Sequence, residues 1–130
     1  MPMPEAYEIK GKENPYIGKE DNFQKTFARF MWLAYPEVLW FHCPNGGSRN
    51  VLEGAKFKAM GVLPGVSDVL ILEPKKGFNG LIIELKVSKG KLQKTQEHFL
   101  NKATLRGYKC AVCYNMDSAI STIKKYFNEN

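Results

Sequence analysis

GVSDVLILEPKKGFNGLIIELK, residues 65–86, holds two apolar runs joined by a turn-forming segment, with ionic side chains set where ionic side chains are costly. Asp68 opens the first run, VLIL; the loop from Lys75 to Gly80 reverses the chain; the second run, LIIELKVS, carries Glu84 and Lys86 in its middle. Polar, glycine-bearing residues between two such runs read as a β-hairpin. Strand alternation then assigns Ile82, Glu84, Lys86 and Ser88 to one face and Leu81, Ile83, Leu85 and Val87 to the other. A charge inside so apolar a strand is strongly unfavourable unless it is paired or binds something. If the hairpin sets Asp68 across from Glu84, two carboxylates and an ammonium meet in one pocket, which suits a divalent metal with a lysine beside it. The competing reading is a structural salt bridge among the three. It explains the charges less well, because a lone buried pair contributes little net stability.

Outward from the hairpin, 130 residues are enough for one domain with its own core. A hydrophobic share of 44% with 25% charged residues is that of a folded globular chain rather than a disordered one. The net charge of +6 favours a polyanionic partner. The start, MPMPEAYEIKGKENP, is polar and proline-bearing, unlike a secretory signal, and no apolar run approaches the ~20 residues that span a bilayer. Three cysteines, an odd number, argue against a disulfide framework and for a reducing compartment. Cys110 and Cys113 spell C-x-x-C, but within the strand-like YKCAVCY their odd offset sends them to opposite faces, so neither a bridge nor a shared zinc is expected. Only His42 and His98 exist to complete a zinc set.

Residues 1–18 read as an irregular lead-in, with Pro2, Pro4 and Pro15 opposing regular structure. Residue 19 opens a helix that Pro36 ends, with an apolar stripe of Phe23, Phe27, Phe30, Met31 and Ala34. Glu20 and Gln24 lie one turn apart along the edge of that stripe, either as a solvated helix start or, for Glu20, as a third carboxylate for the pocket. Residues 38–43 read as a strand, and the PNGGSRN loop after it has adjacent glycines that admit close backbone approach. Asn50 and Glu53 suggest a capping box for a helix that stops at Gly61. Beyond the hairpin, residues 89–107 read as a helix with Leu92, Phe99, Leu100 and Ala103 inward. Gln96 falls on that buried line and wants a hydrogen-bond partner. A strand over 108–114 and a helix over 117–127, with Ala119, Ile120, Ile123 and Phe127 inward, complete the order α-β-α-β-β-α-β-α. That order predicts an α/β fold with a central mixed four-stranded sheet flanked by helices.

An Asp, an apolar strand and then Glu-x-Lys on the next strand suit phosphodiester hydrolysis. Mg²⁺ prefers carboxylate oxygens and keeps several waters, so Asp68, Glu84 and the backbone carbonyl of Leu85, with Glu20 as a further acid, suffice to hold it. Lys86, two residues on and facing the same way, can orient the attacking water or offset developing negative charge.

The ordered string PNGGSR, GAKFKAMGVLPGVSD, GLIIELK and KLQKTQ, with E-x-x-x-Q on the first helix, resembles the VRR-NUC family of the PD-(D/E)xK nuclease superfamily. The likeness spans roughly residues 19 to 127, and the domain is expected over 19–130. It implies a restriction-endonuclease-like core in which Asp68, Glu84 and Glu20 are metal-binding acids, Lys86 is the catalytic lysine, Gln96 is a further catalytic residue and Gln24 a supporting one. Asn45, Gly46, Gly47 and Arg49 match the family's loop near the scissile bond. Ser67 stands where the family usually has proline before the Asp; serine takes the same extended backbone, so activity is expected to survive. Single-domain relatives are similar to Holliday-junction resolvases. The resemblance therefore implies a homodimeric endonuclease using Mg²⁺, or Mn²⁺ in its place, on branched DNA in the cytoplasm of a bacterial cell or a virus-infected host. Lys75, Lys76, Lys89, Lys91 and Lys94 are expected beside the pocket as phosphate contacts. A nuclease for flaps, nicks or plain duplex, and a module that binds nucleic acid without cutting, are the alternatives.

Overall fold

The computed structural model describes residues 19–44, 51–87 and 90–128, with the side chains of residues 19, 20 and 51–53 outside that description. Strands β2 (Val69–Ile71) and β3 (Leu81–Leu85) form the expected antiparallel hairpin, Val69 opposite Ile83 and Ile71 opposite Leu81. Its turn is tight: Lys75 and Phe78 exchange backbone hydrogen bonds of 3.2 and 2.8 Å, and both central residues have positive φ, Lys76 at 53° and Gly77 at 84°. Two left-handed central residues make a type I′ turn, whose twist matches that of the strands it joins.

Strand β1 (Trp40–His42) pairs antiparallel with β2, and β4 (Lys109–Cys113) runs parallel to β3, giving the mixed sheet β1-β2-β3-β4. Helices α1 (Lys19–Ala34) and α4 (Met116–Phe127) cover one face, and α3 (Lys94–Leu105) covers the other; α2 (Val51–Ala59) lies between β1 and β2 in the chain. The sheet's alternation sorts the core accordingly. Val69, Ile71, Leu81, Ile83, Leu85 and Cys113 pack with Phe27 and Met31 of α1 and with Ala119, Ile123 and Tyr126 of α4. On the other face Ile82 packs with Leu100 and Ala103, and Cys110 joins them. Cys110 and Cys113 are therefore on opposite faces as free thiols, as their spacing requires.

The helix read over 89–107 starts only at Lys94: Gln93 is extended (φ −76°, ψ 158°) and its N–H donates to Oε1 of Gln96 at 2.9 Å. A side chain that bonds backbone in this way favours a helix start over helix interior. The strand read over 38–43 shortens to Trp40–His42, the three residues that face β2 in register. Of the residues expected inward, Ala34 is exposed at the end of α1, and Ile120 is half-buried while Tyr126 is buried instead. Among the described residues no helix is long and apolar enough to cross a membrane.

Candidate active site

Carrying the β2–β3 register one residue past Val69 and Ile83 sets Asp68 opposite Glu84. Asp68 is held by backbone on both sides. Its Oδ2 accepts the N–H of Leu85 at 2.8 Å, and its carbonyl accepts the N–H of Cys43 at 2.9 Å. His42 Nδ1 lies 2.7 Å from the same carbonyl. A carbonyl only accepts, so Nδ1 carries the proton in this contact and Nε2 is the acceptor position of the neutral ring.

Glu84 is 2% exposed, on the α3 side of the sheet with Ile82. Its Oε1 accepts from Nε2 of Gln96 at 3.2 Å, and Gln96 is itself fixed by the Gln93 N–H on its Oε1. Among the described residues its enclosed Oε2 has no hydrogen-bond partner, and neither has the hydroxyl of Ser67, a residue with no exposure. Burial, then a hydrogen bond to the Asp68 carboxyl and the charge of that carboxyl, push the Glu84 pKa up to about 8 from its ordinary 4.5; Lys86 and the Ser67 hydroxyl pull the other way. Ser67 Oγ thus stands near Glu84 yet makes no well-formed hydrogen bond. Glu84 therefore holds its proton to higher pH than a free carboxyl, because burial and a neighbouring carboxyl both disfavour its ionised form.

Lys86 follows directly after β3. It is 9% exposed, and its N–H donates to the Cys113 carbonyl at 2.9 Å. A side chain on Gly90 would stand 3.5 Å from Lys86 Cδ, so the absence of one leaves room for the aliphatic stem of the lysine. Gly65 does similar service for Gln96. With φ of +80° it lies so close to the start of α3 that a Cβ would stand 2.3 Å from the Thr95 carbonyl oxygen. The segment leading into Asp68 thereby rests on the first turn of the helix that carries Gln96.

The donor set fits a divalent cation. The Glu84 carboxyl, its pKa pushed up, stands against that of Asp68, and among the described residues Glu84 Oε2 and the Ser67 hydroxyl are enclosed without a partner. The carbonyl of Leu85 leaves the same edge of β3 as the N–H that reaches Asp68. Among the described residues no three His, Cys, Asp or Glu side chains converge, and the side chain of Glu20 lies outside the description.

Of the residues singled out by sequence, Asp68, Glu84, Leu85, Lys86 and Gln96 are thus brought together. Gln24 lines the other side of the sheet with its amide enclosed and unpartnered among the described residues. Asn45, Gly46, Gly47, Arg49 and Lys89 lie outside the described residues, as do Asn50 and Ser88. Lys91 and Lys94 are exposed at the approach to α3, on the site's side. Lys75 and Lys76 are a correction: they form the hairpin turn at the start of β3, whereas Glu84 sits near its end, so they are not beside the pocket. Sequence reasoning weighed His42 only as a zinc ligand. The signal for its true neighbour was its place in β1, one residue before the chain passes Asp68.

The VRR-NUC domain model matches residues 10–117 of the chain. Among solved structures, one titled "VRR_NUC domain protein" superposes with a TM-score of 0.72 at 26% sequence identity, over 92% of this chain and 91% of that one. No curated protein matches.

Proposed function

The chain belongs to the VRR-NUC domain family, with a restriction-endonuclease-like α/β fold that makes it a nuclease-type protein, and from that premise we propose that it is a divalent-metal-dependent endonuclease that cuts branched DNA as a homodimer. The observation that carries the chemistry is the Asp68–Glu84 pair: a buried Glu84 carboxyl, its pKa pushed up, beside the half-buried Asp68, with a Glu84 oxygen unpartnered among the described residues. Asp68, Glu84, the Leu85 carbonyl and Glu20 would hold Mg²⁺, or Mn²⁺ in its place; when bound, the ion supplies a water of lowered pKa and a counter-charge to the phosphorane-like transition state. Lys86 holds the attacking water by its ammonium and offsets charge on the non-bridging oxygens as the new O–P bond forms and the ester O–P bond breaks. Gln96 keeps Oε1 of Glu84 engaged, which leaves Oε2 as the donor toward the site.

Cutting both strands symmetrically requires two sites, and a two-fold dimer supplies them with a symmetry that mirrors a branched junction. Exposed Leu63 and Leu72, beside a groove of about 290 Å³ rimmed by Lys102 and Arg106, give such a dimer apolar surface to bury. Incubating the full chain with labelled four-way junction, flap and plain duplex in Mg²⁺ tests the assignment. Symmetric cuts in the junction at a rate well above the others are expected; equal rates on all three remove the junction specificity, and no cleavage of any removes the nuclease. Sedimentation of the same sample at a monomer's mass removes the dimer.

A further inference from the structure

On the α1 side of the sheet, the face opposite Glu84, a cleft of about 460 Å³ opens between α1 and β1. Among the described residues its walls include Asp21, Gln24, Lys25 and Trp32 from α1 and Trp40 and His42 from β1. Both tryptophans of the chain stand in it, their ring centroids 5.8 Å apart and tilted by 45°. His42 is exposed at the end of β1, and the bond from its Nδ1 to the Asp68 carbonyl ties that end of the cleft to the backbone of the candidate active site. We propose that this cleft receives a nucleobase unstacked from the strand being cut, entering past the end of β1 that His42 ties to Asp68; the inference rests on the nuclease reading and extends it to the form of the substrate.

The chemistry of the walls matches that ligand. Flat aromatic rings accept any base by stacking, and a cation nearby serves the phosphate. Lys25, half-buried along the wall, is that cation, in a chain of net charge +6. The free Nε2 of His42 and the exposed carboxylate of Asp21 are acceptors for base N–H groups. The volume lies within the roughly 300–1,000 Å³ of small-molecule pockets, enough for one base and its sugar. A base still paired inside a duplex cannot enter. The substrate must therefore offer an unpaired or readily unstacked nucleotide at the cut, as the crossover of a junction or the root of a flap does.

Tryptophan emission reads this cleft directly, since the chain has no tryptophan outside it. In chelator, where no cleavage intrudes, an oligothymidylate strand is expected to quench the emission of the full chain, and an abasic strand of equal length, bound to saturation by anisotropy, is not. Trp40 packs edge-on against Phe27 at 5.9 Å, so the substitution used is at exposed His42. His42→Ala, with an unchanged melting midpoint, should weaken oligothymidylate binding roughly tenfold or more and blunt-duplex binding less than twofold. A strand that fails to bind, emission that does not move at saturation, the same quench from the abasic strand, or equal weakening on strand and duplex each overturns the cleft. Failure of the nuclease reading is told apart, because it appears as intact DNA in Mg²⁺ whatever the emission does.

Discussion

The proton that Glu84 retains beside Asp68 gives the metal-free protein a distinctive dependence on pH. With the Glu84 pKa raised from 4.5 to about 8, the folded state keeps a proton that the unfolded state releases between those values. Stability from this group is complete below pH 4.5 and is lost as pH rises toward 8. A urea series on the metal-free chain should show its midpoint falling across that window, and Glu84→Gln, which keeps the shape and removes the titration, should flatten the slope. Binding of a cation must expel the same proton, so Mn²⁺ should raise the melting midpoint more at pH 8 than at pH 6. Gln96→Ala removes the donor to Oε1 of Glu84. Metal-dependent cleavage should fall roughly 10- to 100-fold, the usual cost of losing a partner behind a ligand. At this scale Asp68, Glu84, Lys86 and Gln96 were legible because each broke the apolar pattern of its own element. Ser67 and His42 were not, since a serine before a strand and a histidine inside one break no pattern. Their meaning comes from neighbours 17 and 26 residues away.

Elements are positioned here by backbone that only glycine permits. Gly65 and Gly77 both have positive φ, but a Cβ on Gly77 would meet nothing within 4 Å whereas one on Gly65 would collide with the Thr95 carbonyl. Gly77→Ala should therefore cost about 1–2 kcal/mol in chemical unfolding, the left-handed penalty alone. Gly65→Ala should cost more and also slow cleavage, because α3 must move and carries Gln96 with it. Equal losses from the two would mean that the contact with α3 plays no part. Just past β4, Asn115 caps α4 through its Oδ1, which accepts the Ser118 N–H at 2.8 Å. Asn115→Ala should cost about 1 kcal/mol without touching activity. The number, order and type of elements could be read from period and punctuation, since the hairpin's apolar runs and the glycines at 61, 77 and 107 mark boundaries that the fold keeps. The start of α3 could not, because KGKLQK is helix-compatible in composition and the true start is set by Gln96 reaching back to Gln93.

The whole molecule carries a net charge of +6. Lys91 and Lys94 are exposed near the carboxylate pair, while Lys75 and Lys76 cap the far end of the hairpin. Each phosphate neutralised adds roughly 0.9 to the slope of log affinity against log salt. Replacing Lys91 and Lys94 by glutamine should thus lower that slope by about two units, and replacing Lys75 and Lys76 should hardly alter it. The mixed sheet brings this about: antiparallel β2–β3 puts Asp68 opposite Glu84, and parallel β3–β4, bridged by α3, sets Gln96 above them. The claim on which the account turns is that these carboxylates bind one divalent ion between them, and calorimetric titration of the full chain with Mn²⁺ at pH 8 measures it. The account predicts a saturable site that releases a proton on binding and disappears in both Asp68→Asn and Glu84→Gln; Mn²⁺ binding that survives unchanged in those two variants would contradict it.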